Sequence, residues 1–210
     1  MKHRVLSTVI ILAAIGGLLA QTPAQKPASP AGTAATQVGG QYVPVQNGQR
    51  YQGGKWIEVS YGRPIKRGRA NLFGSGADYG KALSDGSSVW RAGANQTTRL
   101  KTEVPLVLDG KTLAAGEYSV FVDLKENGWT LILSTWPGQE KYDPKNKEAL
   151  WGSYGYTPDK DVLRVPMKLG VLPFSADQFT ITFIDMTADG GALAMMWDKT
   201  IASASFKVGS

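Results

Sequence analysis

The chain has 210 residues, 23 of them basic and 17 acidic, with a formal net charge of +6, a single histidine at position 3 and no cysteine. Beyond His3 it therefore lacks the parts of a Ser-His-Asp or Cys-His catalytic site. It also lacks the imidazole and thiolate ligands of zinc, copper and most iron centres. What remains is carboxylate chemistry, a Ser-Lys pair, an all-oxygen cation site, or binding without catalysis.

The N-terminus reads as an export signal. Lys2, His3 and Arg4 form a basic end, Val5 to Ala20 an apolar run, and small residues follow. Cleavage after Ala24 puts Thr22 at the minus-three position, whereas cleavage after Ala20 would put the large Leu18 there. The apolar run is shorter than the roughly 20 residues a bilayer core needs, no later segment predicts a membrane span, and no cysteine could carry a lipid anchor. The expected location is the periplasm or cell envelope. Loss of Lys2 and Arg4 with the leader, residues 1–24, leaves 21 basic against 17 acidic residues. So small a surplus argues against a nucleic-acid partner.

Residues 25–54 are rich in Pro, Gly, Ala and Gln and predict a mostly mobile linker, with Thr33 to Val38 able to pair as an edge strand. The domain proper is expected over 55–210. In KWIEVSY, Ile57, Val59 and Tyr61 alternate with Glu58 and Ser60, a half-buried strand. A long basic and glycine-rich loop, Tyr61 to Asn95, comes next, and loops of such length are usually functional or disordered. TTRLKTEVPLVL alternates again until Pro105 interrupts it, as an edge strand or bulge allows. Asp109-Gly110 predicts a tight hairpin. EYSVFVDL and WTLILS flank the turn Glu126-Asn127-Gly128 and carry apolar residues on both faces, which predicts a central pair. Trp136 to Lys147 is polar and turn-rich. WGSYGY, VLRVPMKL, QFTITFIDM, ALAMMW and IASASFKV are read as further strands. About ten short strands and no convincing amphipathic helix give an all-β fold, an antiparallel β-sandwich of jelly-roll type.

The ordered motifs YGRPIKRGRANLFG, ADYGK, VWRAGANQTT, DGKTLAAGEYSVF, GWTLIL and WGSYGY resemble the bacterial DUF2911 family of exported proteins. The resemblance spans roughly Thr33 to Val208. Two departures stand out: Ala82 to Val89 are inserted between Tyr-Gly-Lys and Trp-Arg, and about Gly40 to Gly54 are inserted before the first firm strand. The resemblance implies an exported, β-rich domain. The family has no assigned activity, so no catalytic residue or cofactor carries over from it.

The residues themselves nominate one site. Pro64 biases Arg63 toward extended backbone, and Arg91 follows an indole that can pin the chain. Arg63, Arg69, Arg91 and Asn95 around one pocket, with Tyr79 and Trp90 as walls, would suit a carboxylate, sulfate or phosphate. The competing reading has the arginines tie the loop to itself by meeting its carbonyls and acids. Most aromatics read as core; Trp151, Tyr154 and Tyr156, spaced by Gly152 and Gly155, are the best candidates to stack on sugar rings. The carboxylates show no spacing suited to glycoside hydrolysis. TPDKD (157–161) reads as a turn rather than a Ca²⁺ site, and Ser75 or Ser87 with Lys81 would need a buried lysine.

The sequence thus predicts a non-catalytic binding or structural module, with an anionic small molecule or glycan as ligand and no metal or cofactor. The alternatives are a carboxylate-based hydrolase and a partner-binding module that uses a sheet edge near Pro105.

Overall fold

The computed structural model describes residues 27–209; the predicted leader lies outside them. In chain order the strands are β1 (Ala31–Val38), β2 (Gln41–Val45), β3 (Gly48–Gln52), β4 (Lys55–Gly62), β5 (Thr98–Thr102), β6 (Leu106–Leu108), β7 (Lys111–Leu113), β8 (Gly116–Lys125), β9 (Gly128–Ser134), β10 (Asp161–Thr187) and β11 (Gly190–Val208). A single helical turn, α1 (Lys81–Ser84), lies in the long loop after β4. Among the described residues no helix is long and apolar enough to cross a membrane.

Alternation dictates the first layer. Ile57, Val59 and Tyr61 of β4 and Thr98, Leu100 and Thr102 of β5 are buried on one face. β8 and β9 are buried on both faces, as a central pair requires. The antiparallel order is β1-β4-β5-β8-β9-β10, continuing through β11 and β6 to β7. β1 pairs with β4 from Ala31↔Gly62 to Val38↔Lys55, so regular structure begins well before Lys55 and the edge strand is longer than Thr33 to Val38. The stretch Gly40 to Gly54 holds the β2–β3 hairpin, a separate two-stranded sheet.

The second layer arises from the length of β10. Its start, Asp161 to Met167, pairs with β9. The rest pairs with β11, with register breaks between Val171 and Ala176 and again before Thr180. Pro173 cannot donate to a ladder, and a bulged strand bends and twists. The outer half of β10 thereby folds back over the first layer and meets β1. VLRVPMKL and QFTITFIDM are therefore one bent strand rather than two. ALAMMW and IASASFKV are likewise one, because Asp198-Lys199 sits opposite the bend instead of ending a strand. The bend is pinned by Lys66, whose Nζ lies 2.5 Å from Asp198 Oδ1, while Ser175 Oγ donates to the same oxygen at 2.6 Å. These bonds hold the Asp198 carboxyl below the usual carboxylate range, the Lys66 hydrogen bond contributing most. Asp109 and Gly110, both at positive φ (48° and 71°), close the β6–β7 hairpin as expected.

WGSYGY is a correction: residues 151–155 are turns, not a strand. Gly152 and Gly155 adopt left-handed backbone, φ 63° and 77°, which reverses the chain twice.

An aromatic cluster joins the layers. Trp90, 1% exposed, comes from the long loop and packs against Phe179 of β10 (centroids 4.9 Å), Trp197 of β11 (6.1 Å, stacked) and Trp129 of β9 (6.2 Å). Phe73, from the same loop, meets Trp129 and Trp197. Trp90 also exchanges both backbone bonds with Val122 of β8 at 2.8 Å, and its Nε1 donates to the Gly93 carbonyl. Tyr61 closes the layers from the other side, its hydroxyl accepting from the Ile181 N–H at 2.9 Å and donating to the Ile181 carbonyl at 3.2 Å. On the far face of β8 and β9, Phe121 and Ile132 are covered by Val89, Trp136 and Leu150.

Two tests follow from this packing. Trp90→Ala removes the plug between the layers and should cost roughly 3–5 kcal/mol, read as a lower urea midpoint with an unchanged slope. Lys66→Met should lower stability by about 1 kcal/mol near pH 6, where Asp198 is ionised in both folded and unfolded chains. Because the folded carboxyl titrates below its unfolded value, its contribution is present above about pH 4 and fades as pH falls through the folded value. The difference in melting temperature between wild type and variant should accordingly narrow between about pH 6 and pH 3; a constant difference would remove Asp198 as its source.

Candidate functional site

The six residues nominated by the sequence do not converge on one pocket. Trp90 is core. Tyr79 stacks on Phe73 at 6.2 Å and accepts a hydrogen bond from Trp129 Nε1 at 3.0 Å, so it braces the core edge rather than walling a cavity. Arg69 turns back on its own loop. Its Nε and Nη2 donate to the Lys66 and Ile65 carbonyls at 3.1 Å each, and its guanidinium lies 5.4 Å from the Trp197 ring centroid.

Arg91 and Asn95 do come together, in a structural knot. Arg91 Nη1 donates to the Asn95 carbonyl at 3.1 Å and Nη2 lies 3.5 Å from Asp85 Oδ2. Asn95, held at φ 63°, donates from Nδ2 to the Ser29 carbonyl. The Tyr154 hydroxyl donates to Asp85 Oδ2 at 2.5 Å, and the Arg91 guanidinium lies 5.9 Å from the Tyr154 ring centroid. The hydrogen bond to Asp85 raises the Tyr154 pKa, because a phenolate could not make it. Asp85, in the stretch Ala82 to Val89, is the acid at the centre of the knot. Gly152 lies beside it at φ 63°, a backbone that favours glycine, and a Cβ there would fall 2.6 Å from Arg91 Nη1 and displace the guanidinium.

Arg63 stands apart. The chain from Tyr61 to Lys66 leaves the first layer and pairs with the outer half of β10, through Phe179 N–H to the Pro64 carbonyl (2.9 Å) and Lys66 N–H to the Asp177 carbonyl (2.6 Å). Arg63 is thereby directed into a groove of about 380 Å³ between β1 and β10, with Thr33, Thr36, Thr180, Thr182 and Met186 among its walls. Its stem crosses Gly32, where a Cβ would overlap Arg63 Cδ. Its bond from Nη2 to Thr180 Oγ1 is long at 3.4 Å, and its Nε is buried with no acceptor among the described residues. An unpaired buried donor on a charged group is costly.

A second cleft, of about 340 Å³, is built by the segment between β9 and β10. Gln139, buried at its base, organises that segment. Its Nε2 donates to the Ala149 carbonyl at 2.8 Å and to that of Asn146 at 3.2 Å, while its Oε1 accepts from the Asp143 N–H at 2.8 Å. Thr97 Oγ1 ties the segment to the first layer through the Leu150 carbonyl. Tyr142, Trp151 and Tyr154 line the cleft, and Tyr142 and Tyr154 are 56% and 51% exposed. Tyr142 is absent from the sequence-based candidates. Its signal was there to use: one large aromatic standing in a run of turn-forming polar residues, with no apolar partner beside it in the sequence.

The chemistry of the alternatives is also located. Lys81 pairs with Asp78 at 3.0 Å and its side chain is 67% exposed, so it is no buried base for Ser75 or Ser87. Asp123 and Asp161 share Arg164, at 3.8 and 2.7 Å, and Tyr156 donates to Asp161 Oδ2 at 2.7 Å. Burial first, and then that bond, raises the Tyr156 pKa. Neither carboxylate lines either cleft. The edge expected around Pro105 is covered. The Pro105 carbonyl accepts from Gly209 N–H at 2.8 Å, and β6 lies between β11 and β7.

No curated protein and no solved structure matches the chain. The model of one family, described as a protein of unknown function (DUF2911), matches residues 43–206, which span both layers and the loop between them; the chain belongs to the DUF2911 family.

Proposed function

We propose that this protein is a non-catalytic binding module of the periplasm or cell envelope, and that an anionic group is bound by Arg63 in the groove between β1 and β10. The observation that carries the reading is the Arg63 guanidinium, which lines a polar groove and whose buried Nε has no acceptor among the described residues. A guanidinium presents planar, paired donors, and a carboxylate or phosphate is the group that matches them. The wall is rich in threonine hydroxyls, which serve either as donors or as acceptors to the rest of a small ligand. The other arginines of the loop do not compete for this role, because their N–H groups meet carbonyls and Asp85. The export-type N-terminus supports the location, and the absence of histidine and cysteine beyond His3 supports binding over catalysis.

The test is a thermal-shift titration with glutarate, citrate and phosphate, using chloride at matched ionic strength as the control. A ligand at a hundredfold excess over its Kd stabilises the folded chain by about 2.7 kcal/mol. At least one probe should give a saturable rise in melting temperature. Arg63→Gln should abolish it and Arg63→Lys should weaken it, since a lysine keeps the charge but loses the fork. If none of the probes raises the melting temperature above the chloride control, or if Arg63→Gln keeps the full rise, the proposal fails.

A further inference from the structure

The geometry points to a second binding site, independent of Arg63: we infer that the cleft between β9 and β10 binds an uncharged pyranose glycan by stacking it on Tyr142 and Trp151.

Three observations carry the inference. The first is aromatic exposure without a packing reason. Tyr142 and Trp151 lie with ring centroids 5.9 Å apart, and Tyr142 is more than half exposed in a segment that has its own filled core beneath it, Trp136, Leu150 and Phe121. Flat aromatic faces with a polar tip suit a ligand that is apolar on one face and hydroxylated at its rim, as a pyranose ring is.

The second is preorganisation. A loop of this length without regular structure would ordinarily move, yet its interior acceptors are taken by Gln139, and Asn146 Oδ1 accepts from the N–H groups of Glu148 (2.9 Å) and Ala149 (3.2 Å). Tyr154 is fixed by Asp85 and Arg91 on the far side. Loop ordering is a large part of what weak binding costs, and here it precedes the ligand. The knot around Arg91 thus acquires a purpose beyond holding its own loop.

The third is charge. Between Gly138 and Ala149, Lys141, Lys145 and Lys147 are offset by Glu140, Asp143 and Glu148. No net field selects an ion there, in contrast to the Arg63 groove. Polar groups are nonetheless at hand: the Tyr142 hydroxyl and Asn146 Nδ2 meet no protein partner among the described residues, and both residues line the cleft. A hydroxylated neutral ring gives these groups something to bond.

Calorimetric titration of the full exported chain with cellotetraose, maltotetraose and the tetramer of N-acetylglucosamine tests the site. At least one tetrasaccharide should bind saturably. Tyr142→Ala and Trp151→Ala should each weaken that binding by at least about tenfold, the loss of roughly 1.4 kcal/mol of stacking. Tyr142 is exposed, so its variant should keep the parent melting temperature, and Trp151→Phe, which keeps a ring, should retain most of the affinity. Arg63→Gln should leave glycan binding unchanged, which separates this site from the anion groove. Absence of binding by all three tetrasaccharides would overturn the inference, and so would affinity that survives Tyr142→Ala intact.

Discussion

The stacking of Trp90 between the two layers is the contact on which the other features depend. Each layer presents a tryptophan or phenylalanine at the same height, Trp129 from the first and Phe179 and Trp197 from the second. A cavity of that size would be left open if only strands contributed to it. The long loop fills it with Trp90 and Phe73, so a segment with almost no regular structure is buried at both its middle and its end. Dispersion and burial of these five large rings anchor the loop.

Once the loop is anchored, its charges must go somewhere. The basic residues that follow Tyr61 lie on a strip that crosses from one layer to the other, and each meets a different neighbourhood. Lys66 reaches the bend in the β10–β11 hairpin, Arg69 folds onto Trp197, and Arg91 joins Asp85 and Tyr154. Most of these cations therefore serve the fold. Arg63 differs because Pro64 and the pairing with β10 direct it into an open groove where, among the described residues, its Nε finds no acceptor. The same physics that makes three cations structural leaves the fourth in need of a partner.

The two clefts sit in chemically unlike places. The groove of Arg63 lies where β1 and the outer half of β10 face each other, lined by hydroxyls and one cation. The aromatic cleft lies on an irregular segment whose charges cancel; Gln139 holds its backbone and Asp85 holds the Tyr154 hydroxyl. The first is walled by strands, the second by a loop carried on a rigid sheet, the kind of segment where binding residues concentrate.

Alternation of apolar and polar residues was enough to read the strand content, apolar residues on both faces the central β8–β9 pair, an Asp-Gly step the turn at 109–110, and ordered motifs the family. Each of these is set by local geometry or by an ordered motif, so it is visible without any contact between distant residues. The missing histidine and cysteine were equally legible, because absence needs no fold. The sequence could not separate one bent strand from two short ones: the bend in β10 is pinned by Lys66 reaching Asp198, and the two are neighbours only after folding. Nor could it separate turn from strand at WGSYGY, where Gly152 and Gly155 take positive φ and Gly152 passes close to Arg91. The directions of Arg63, Arg69 and Arg91 were also beyond its reach. A guanidinium on a flexible methylene stem takes whichever acceptor the tertiary structure brings near, and sequence spacing does not encode which one that is.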